Sequence, residues 1–156
     1  MAVKTFLKIN ILSAFYAFVL FISIELQVNF YRIWRLTGWE GATVNSMIAV
    51  VHLFGFIATL FLFYFLIRKW FEGRKAGYWS VILWLPYVFL FVIIFGVLFP
   101  MTDGGDKPAP VTGLVIMGQL ITYPIYLLVM TWVGSAKDFV VEEIKSGGEC
   151  DEGSVL

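Results

Sequence analysis

Residues 44–67 read VNSMIAVVHLFGFIATLFLFYFLI, a stretch that no Asp, Glu, Lys or Arg interrupts. About 20 such residues are enough to cross the hydrocarbon core of a bilayer as an α-helix. Three further stretches have similar length and apolar character, at residues 6–29, 78–100 and 111–133. Strands of a membrane β-barrel would alternate apolar and polar residues, and these stretches do not. The pattern therefore predicts four transmembrane helices.

The composition of the whole chain indicates the same class of protein. Hydrophobic residues make up 60% of the 156 residues and charged residues only 14%, whereas a soluble domain has about 25% charged residues. A chain of this length cannot bury so much apolar surface in a water-soluble core. We predict an all-α integral membrane protein, a four-transmembrane-helix bundle with short loops in residues 1–135. Residues 136–156 are expected to form a cytoplasmic tail, first a short juxtamembrane helix and then a disordered end.

The basic residues predict the orientation of the bundle, because Lys and Arg are retained on the cytoplasmic side of a membrane. Eight of the eleven lie on the side of the two termini and three on the other side. The eight are Lys4, Lys8, Arg68, Lys69, Arg74, Lys75, Lys137 and Lys145. Both termini should therefore be cytoplasmic. The absence of an Asn-x-Ser/Thr sequon favours a multi-pass protein of a bacterial inner membrane.

The chain lacks the residues that several classes of protein chemistry require. The chain has one cysteine, Cys150, and one histidine, His52, so it offers neither a paired-cysteine redox site nor the two axial ligands of a bis-histidine haem. It contains no glycine-rich phosphate loop, no zinc-protease motif, no nucleophile elbow and no basic stripe suited to nucleic acid. We expect no catalytic residue, cofactor or metal, and no binding of nucleic acid.

Polar side chains inside the predicted spans are the candidate site, because they are costly in lipid and normally face protein or a water-filled cavity. Glu25 lies roughly 7–8 Å from the far end of the first span, and His52 and Gln119 lie about 12 Å from the same side. On the fourth span Gln119, Tyr123 and Tyr126 share one helical face. These five residues predict a polar intramembrane site in the outer half of the bilayer.

Each of these residues also has a purely structural interpretation. Glu25 could pair with Arg32 or reach the headgroups, and His52 could be a satisfied hydrogen-bonding residue in a helix seam. The face of Gln119 could hold helices together. The basic second connection, formed by Arg68, Lys69, Arg74 and Lys75, is first a topology signal. It could also attract anionic lipid or an acidic partner.

The functional interpretation is that Glu25 and His52 share a site and titrate as a coupled pair. Such a site favours a non-catalytic accessory or sensor subunit of a membrane complex, which would contact membrane lipids and a protein partner or further copies of itself. One alternative is a homo-oligomeric ion or proton channel or transporter. A second alternative is an enzyme that modifies a lipid or an isoprenoid.

Overall fold

The computed structural model describes residues 2–71 and 75–148, and the side chains within residues 3–70 and 77–134. Within these residues five α-helices follow one another: α1 (Ala2–Val28), α2 (Phe30–Thr37), α3 (Gly41–Phe71), α4 (Ser80–Leu98) and α5 (Pro110–Gly148). Short 3₁₀ turns lie at Lys75–Trp79 and Gly104–Asp106. All regular structure in this described part of the chain is helical.

Four of the helices are long and apolar enough to cross a membrane. The candidate spans are Val3–Val28, Gly41–Trp70, Gly77–Leu98 and Pro110–Gly134. Many of their large apolar side chains are exposed on the outside of the bundle, such as Phe54, Phe61 and Val97. The prediction of an all-α protein with four spanning helices is confirmed, and the chain is a multi-pass membrane protein.

Two helices extend beyond the C-terminal ends of their predicted spans. Helix α3 continues through Arg68 and Lys69 to Phe71, since both basic residues are good helix formers and cations are favourable near a helix C-terminus. Helix α5 continues from its span to Gly148 without a break, so the predicted juxtamembrane helix is part of α5. The predicted disordered tail end and Arg74 lie outside the described residues.

The two ends of the bundle differ in their charged residues. At the end where α1 begins and α3 ends, called the basic end, Lys4, Lys8, Arg68 and Lys69 lie on the two helices. There Lys8 Nζ donates a hydrogen bond to the carbonyl oxygen of Trp70 at 3.3 Å. The opposite end, called the α2 end, holds the short helix α2.

The most extensive helix contacts are between α1 and α4 and between α3 and α5. Tyr87 of α4 donates its hydroxyl to Asn10 Oδ1 of α1 at 2.7 Å. Packing is tightest in the half of the bundle towards the basic end, called the closed half. Its fully buried side chains come from all four spanning helices: Leu12, Tyr16, Phe63, Ile67, Trp84 and Leu127.

An ion pair fastens α2 to the segment between α4 and α5. Arg35 donates two hydrogen bonds to the carboxylate of Asp106, Nε to Oδ1 at 2.9 Å and Nη2 to Oδ2 at 2.8 Å. The run Asp103-Gly104-Gly105-Asp106-Lys107-Pro108 is rich in turn-forming residues and predicts a solvated turn, but Asp106 is only 1% exposed. The hydrogen bonds from Arg35, and then the positive charges of Arg35 and Arg32, lower the pKa of Asp106 below its usual value.

Arg32 ties the same two segments together through backbone carbonyls. Its Nη1 donates to Phe99 O at 3.1 Å and its Nη2 donates to Pro100 O at 2.7 Å. Helix α2 ends at Thr37 and is capped by Gly38, whose φ of 67° is a left-handed conformation that suits glycine. Contacts of two arginines therefore hold α2 to the segment between α4 and α5.

Candidate functional site

A cavity of about 640 Å³ lies between α1, α3 and α5 in the half of the bundle towards the α2 end, called the open half. Its lining is mostly apolar, and Ile22, Val51 and Phe56 at its edge are 39%, 43% and 53% exposed. The cavity therefore opens on the surface that faces lipid. Its volume lies within the range of about 300–1,000 Å³ that is typical of small-molecule sites.

Two tyrosines of α5 close the cavity on the side of the closed half. Tyr123 donates its hydroxyl to the backbone carbonyl of Tyr16 in α1 at 2.7 Å. Tyr126 donates to Thr59 Oγ1 of α3 at 3.4 Å. Beyond them the rings of Tyr16 and Phe63 pack edge to face, with centroids 4.5 Å apart. The cavity thus ends at a buried aromatic floor.

Four polar side chains form one hydrogen-bonded group at the cavity, called the polar cluster: Ser23, Gln27, His52 and Gln119. Ser23 Oγ lies 2.8 Å from His52 Nε2 and 3.3 Å from Gln119 Nε2. Gln27 Nε2 lies 3.3 Å from His52 Nε2. The cluster joins α1, α3 and α5, which are the three helices around the cavity.

The contacts of His52 fix its neutral tautomer. Its Nδ1 lies 2.7 Å from the carbonyl oxygen of Ile48, and a carbonyl can only accept a hydrogen bond. Nδ1 therefore carries the proton, and Nε2 is left as an acceptor. Ser23 supplies the donor for Nε2, because its hydroxyl is the nearest polar group at 2.8 Å.

This assignment also orients the side-chain amide of Gln119. Because Ser23 has given its one hydrogen to His52, Ser23 Oγ can only accept from Gln119. Gln119 therefore presents Nε2 to Ser23, and its Oε1 is buried and accepts no hydrogen bond from the described residues. A buried acceptor left unpaired costs about 1–3 kcal/mol. Gln119, which lines the cavity, thus has one buried acceptor that lacks a donor.

The structure does not bring Glu25 to the predicted site. Successive residues of an α-helix are rotated by about 100°, so Glu25 lies on nearly the opposite face of α1 from Ser23. Its carboxylate accepts a hydrogen bond from Asn29 Nδ2 at 2.8 Å, and Arg32 Nη1 donates to Asn29 Oδ1 at 3.4 Å. Glu25 and His52 therefore have different hydrogen-bond partners in the described residues, and a shared function of the two remains a prediction.

The other four predicted residues lie together. His52, Gln119, Tyr123 and Tyr126 all line the cavity. Ser23 and Gln27 were missed by the sequence reasoning, which took Glu25 as the polar group of the first span. Their spacing of four residues places them on one face of α1, and this was the available signal. Whether the site is functional remains a prediction.

The predicted basic connection is described only in part. Arg68 Nη1 donates to the hydroxyl of Tyr64 at 3.0 Å, and Lys69 Nζ lies 5.5 Å from the ring centroid of Phe65. Lys75 begins the first 3₁₀ turn, but its side chain and all of Arg74 lie outside what the structure describes. The proposed attraction of anionic lipid or an acidic partner remains a prediction.

Comparison of the chain with protein-family models, curated proteins and solved structures found no match.

Proposed function

We propose that the protein is a non-catalytic accessory or sensor subunit of a membrane complex, and that its cavity holds a lipid-like molecule. The observation that carries this proposal is the combination of an apolar cavity open to lipid with a polar cluster in its wall. Sites for small molecules are mostly apolar and have a few polar groups that fix the orientation of the ligand. An amphiphile has an apolar chain and a polar head, which match the apolar lining and the polar groups of such a site.

The distribution of basic residues supports an orientation for this proposal. With both termini in the cytoplasm of a bacterial cell, the α2 end would face outwards. The cavity would then receive molecules from the outer leaflet of the inner membrane. The bound lipid would contact α3 and α5, which both extend past their spans at the cytoplasmic side, and a partner there would sense its presence.

The apolar packing of the closed half favours an accessory or sensor subunit over a channel. A conducting path needs polar groups or water along its length, but the fully buried side chains below the cavity include Leu12, Phe63 and Leu127. A channel built from this chain would have to run between subunits. The accessory or sensor role requires no such assembly, only the occupied cavity and a partner.

Filling the cavity with a side chain tests the proposal. Gly55 lines the cavity, and a Cβ atom built there would meet nothing within 4 Å, so Gly55→Phe should occupy the space without disturbing the fold. Gly96 of α4 is equally open but does not line the cavity, and Gly96→Phe is the matched control. The tagged variants would be purified in nanodiscs and their masses read by native mass spectrometry.

We expect the wild type and Gly96→Phe to carry a bound lipid and a foreign subunit, and Gly55→Phe to lose the lipid. Loss of the partner's response to that lipid would follow. A homo-oligomer without bound lipid in all three proteins would contradict the proposal and support a channel. Equal lipid retention in the two variants would show that the lipid binds elsewhere.

A second candidate function is acyl transfer, because the polar cluster contains a nucleophile and a base in contact. Ser23 Oγ lies 2.8 Å from His52 Nε2, and the other ring nitrogen is held by Ile48 O, which is the arrangement of an activated serine. Ser23 would attack the carbonyl carbon of an ester while His52 accepts its proton. The departing alcohol would take that proton, and water would release the acid from Ser23.

A fluorophosphonate probe distinguishes the two functions. Acyl transfer predicts a covalent adduct on Ser23 that disappears in His52→Gln, seen by mass spectrometry of the α1 peptide. An unlabelled Ser23 in protein that still holds its lipid would rule out acyl transfer and leave the binding function.

A further inference from the structure

The hydrogen-bonding groups of the cavity specify the head of its ligand. Gln119 Oε1 lacks a donor, and the amide nitrogen of Gln119 carries a second hydrogen beyond the one that faces Ser23 Oγ. Gln119 therefore offers one acceptor and one donor from the same side chain. A hydroxyl group can donate as well as accept, so a ligand hydroxyl could supply the donor that Gln119 Oε1 lacks.

The lack of charged residues in the cavity lining narrows the chemical class of the ligand further. No Asp, Glu, Lys or Arg is among the residues that line it, and Glu25 is directed to Asn29 instead. An unpaired charge in an apolar environment is strongly disfavoured. The lining therefore disfavours phosphate, carboxylate and ammonium headgroups, and favours a neutral one.

From these observations we infer that the cavity binds a neutral amphiphile with a free hydroxyl group, and that the side chain of Gln119 turns its buried Oε1 towards the cavity to accept a hydrogen bond from this hydroxyl. The apolar chain lies along Ile22, Val51 and Phe56 at the open edge. The class includes long-chain and prenyl alcohols and acylglycerols. This inference rests on the proposed function, because it names the chemical class of the lipid in the same cavity.

Three ligands with one chain test the inference: oleyl alcohol, its methyl ether and oleic acid. The ether can accept a hydrogen bond but cannot donate one, and the acid is charged when ionised. Binding to delipidated protein would be titrated by native mass spectrometry. We expect the alcohol to bind about tenfold more tightly than the ether, which corresponds to about 1.4 kcal/mol, and the acid to bind more weakly than either.

Gln119→Met keeps the length of the side chain and removes the acceptor. The preference for the alcohol should fall to nearly one, while the affinity for the ether stays within about twofold because it depends on apolar contact. Ether binding also shows that the variant is folded. Ser46→Ala is the control, since Ser46 is exposed on α3, bonds only Ala42 O and does not line the cavity. It should keep the full preference.

Equal affinity of the wild type for alcohol and ether would overturn the inference, and so would an unchanged preference in Gln119→Met. The failure of all three ligands to bind would also overturn it. These failures are distinguishable from failure of the proposed function, because a resident lipid lost in Gly55→Phe and kept in Gly96→Phe would still show that the cavity holds a lipid of another class.

Discussion

The closed half and the open half of the bundle are built from the same helices but packed in different ways. In the closed half Leu12, Tyr16, Phe63 and Leu127 are fully buried against one another. In the open half, α1, α3 and α5 surround a cavity and contact each other there through a polar cluster centred on Ser23. The comparison shows that apolar composition alone does not determine packing inside a membrane.

The glycines of the two halves explain part of this difference. A Cβ atom on Gly134 would lie 2.8 Å from Ile67 Cγ2, so the absence of a side chain lets α5 approach α3 closely. In the open half, Gly55 and Gly118 have nothing within 4 Å of such an atom. Glycine thus brings helices together at one end and leaves space at the other.

The largest expected effect comes from shortening a leucine in each half. Leu12→Ala leaves a new void in a fully buried site and should destabilise the protein by about 2–5 kcal/mol. Leu26→Ala on the same helix only enlarges the existing cavity and should cost about 1 kcal/mol. Unfolding by SDS titration in bicelles measures both. Equal losses would mean that the two halves are packed alike.

The next effect concerns the close contact of α5 with α3. Gly134→Ala places a methyl group against Ile67 and should destabilise the bundle by about 1–3 kcal/mol through overpacking. Gly118→Ala on the same helix meets open space and should be neutral or stabilise α5 by about 0.5–1 kcal/mol. The same SDS titration in bicelles measures the stability of both variants. If Gly134→Ala were as harmless as Gly118→Ala, the close approach would not support the closed half.

The smallest effect concerns the ion pair at the α2 end and depends on pH. Arg35 lowers the pKa of Asp106, so the pair stabilises the fold above the ordinary aspartate pKa of about 3.9. That contribution is lost as the pH falls through the lower pKa of the folded protein. Asp106→Asn should therefore reduce Tm at pH 7. The difference in Tm between the wild type and the variant should shrink in strong acid. A deficit that is independent of pH would contradict the role of this carboxylate.

The sequence predicted the helices better than the site, for a physical reason. Length and hydropathy are enough to find a spanning helix, and all four spans are present. The inward face of such a helix is harder to predict, because the faces towards lipid and towards protein are both apolar. Glu25 was chosen by its charge, yet Ser23 and Gln27 occupy the face of α1 that meets His52.

Contacts between segments far apart in the sequence could not be predicted either. Asp106 looked like part of a solvated turn, but Arg35, 71 positions earlier in the chain, binds and buries it. His52, Gln119, Tyr123 and Tyr126 were found because intramembrane polar residues are few. Which of them join the polar cluster and which lie at the aromatic floor of the cavity depends on how each helix is rotated about its own axis. The sequence alone does not give that rotation. The orientation of the termini remains a prediction from the basic residues.

Photo-crosslinking with a diazirine-bearing long-chain alcohol tests the central claim most directly. Peptide mass spectrometry would locate the adducts in nanodiscs, with excess oleyl alcohol as competitor. We predict adducts that compete at the cavity residues of the open half, such as Ile22, Val51 and Phe56, and that disappear in Gly55→Phe. Adducts spread over the outer surfaces of all four spans, unaffected by the competitor or by Gly55→Phe, would contradict the account.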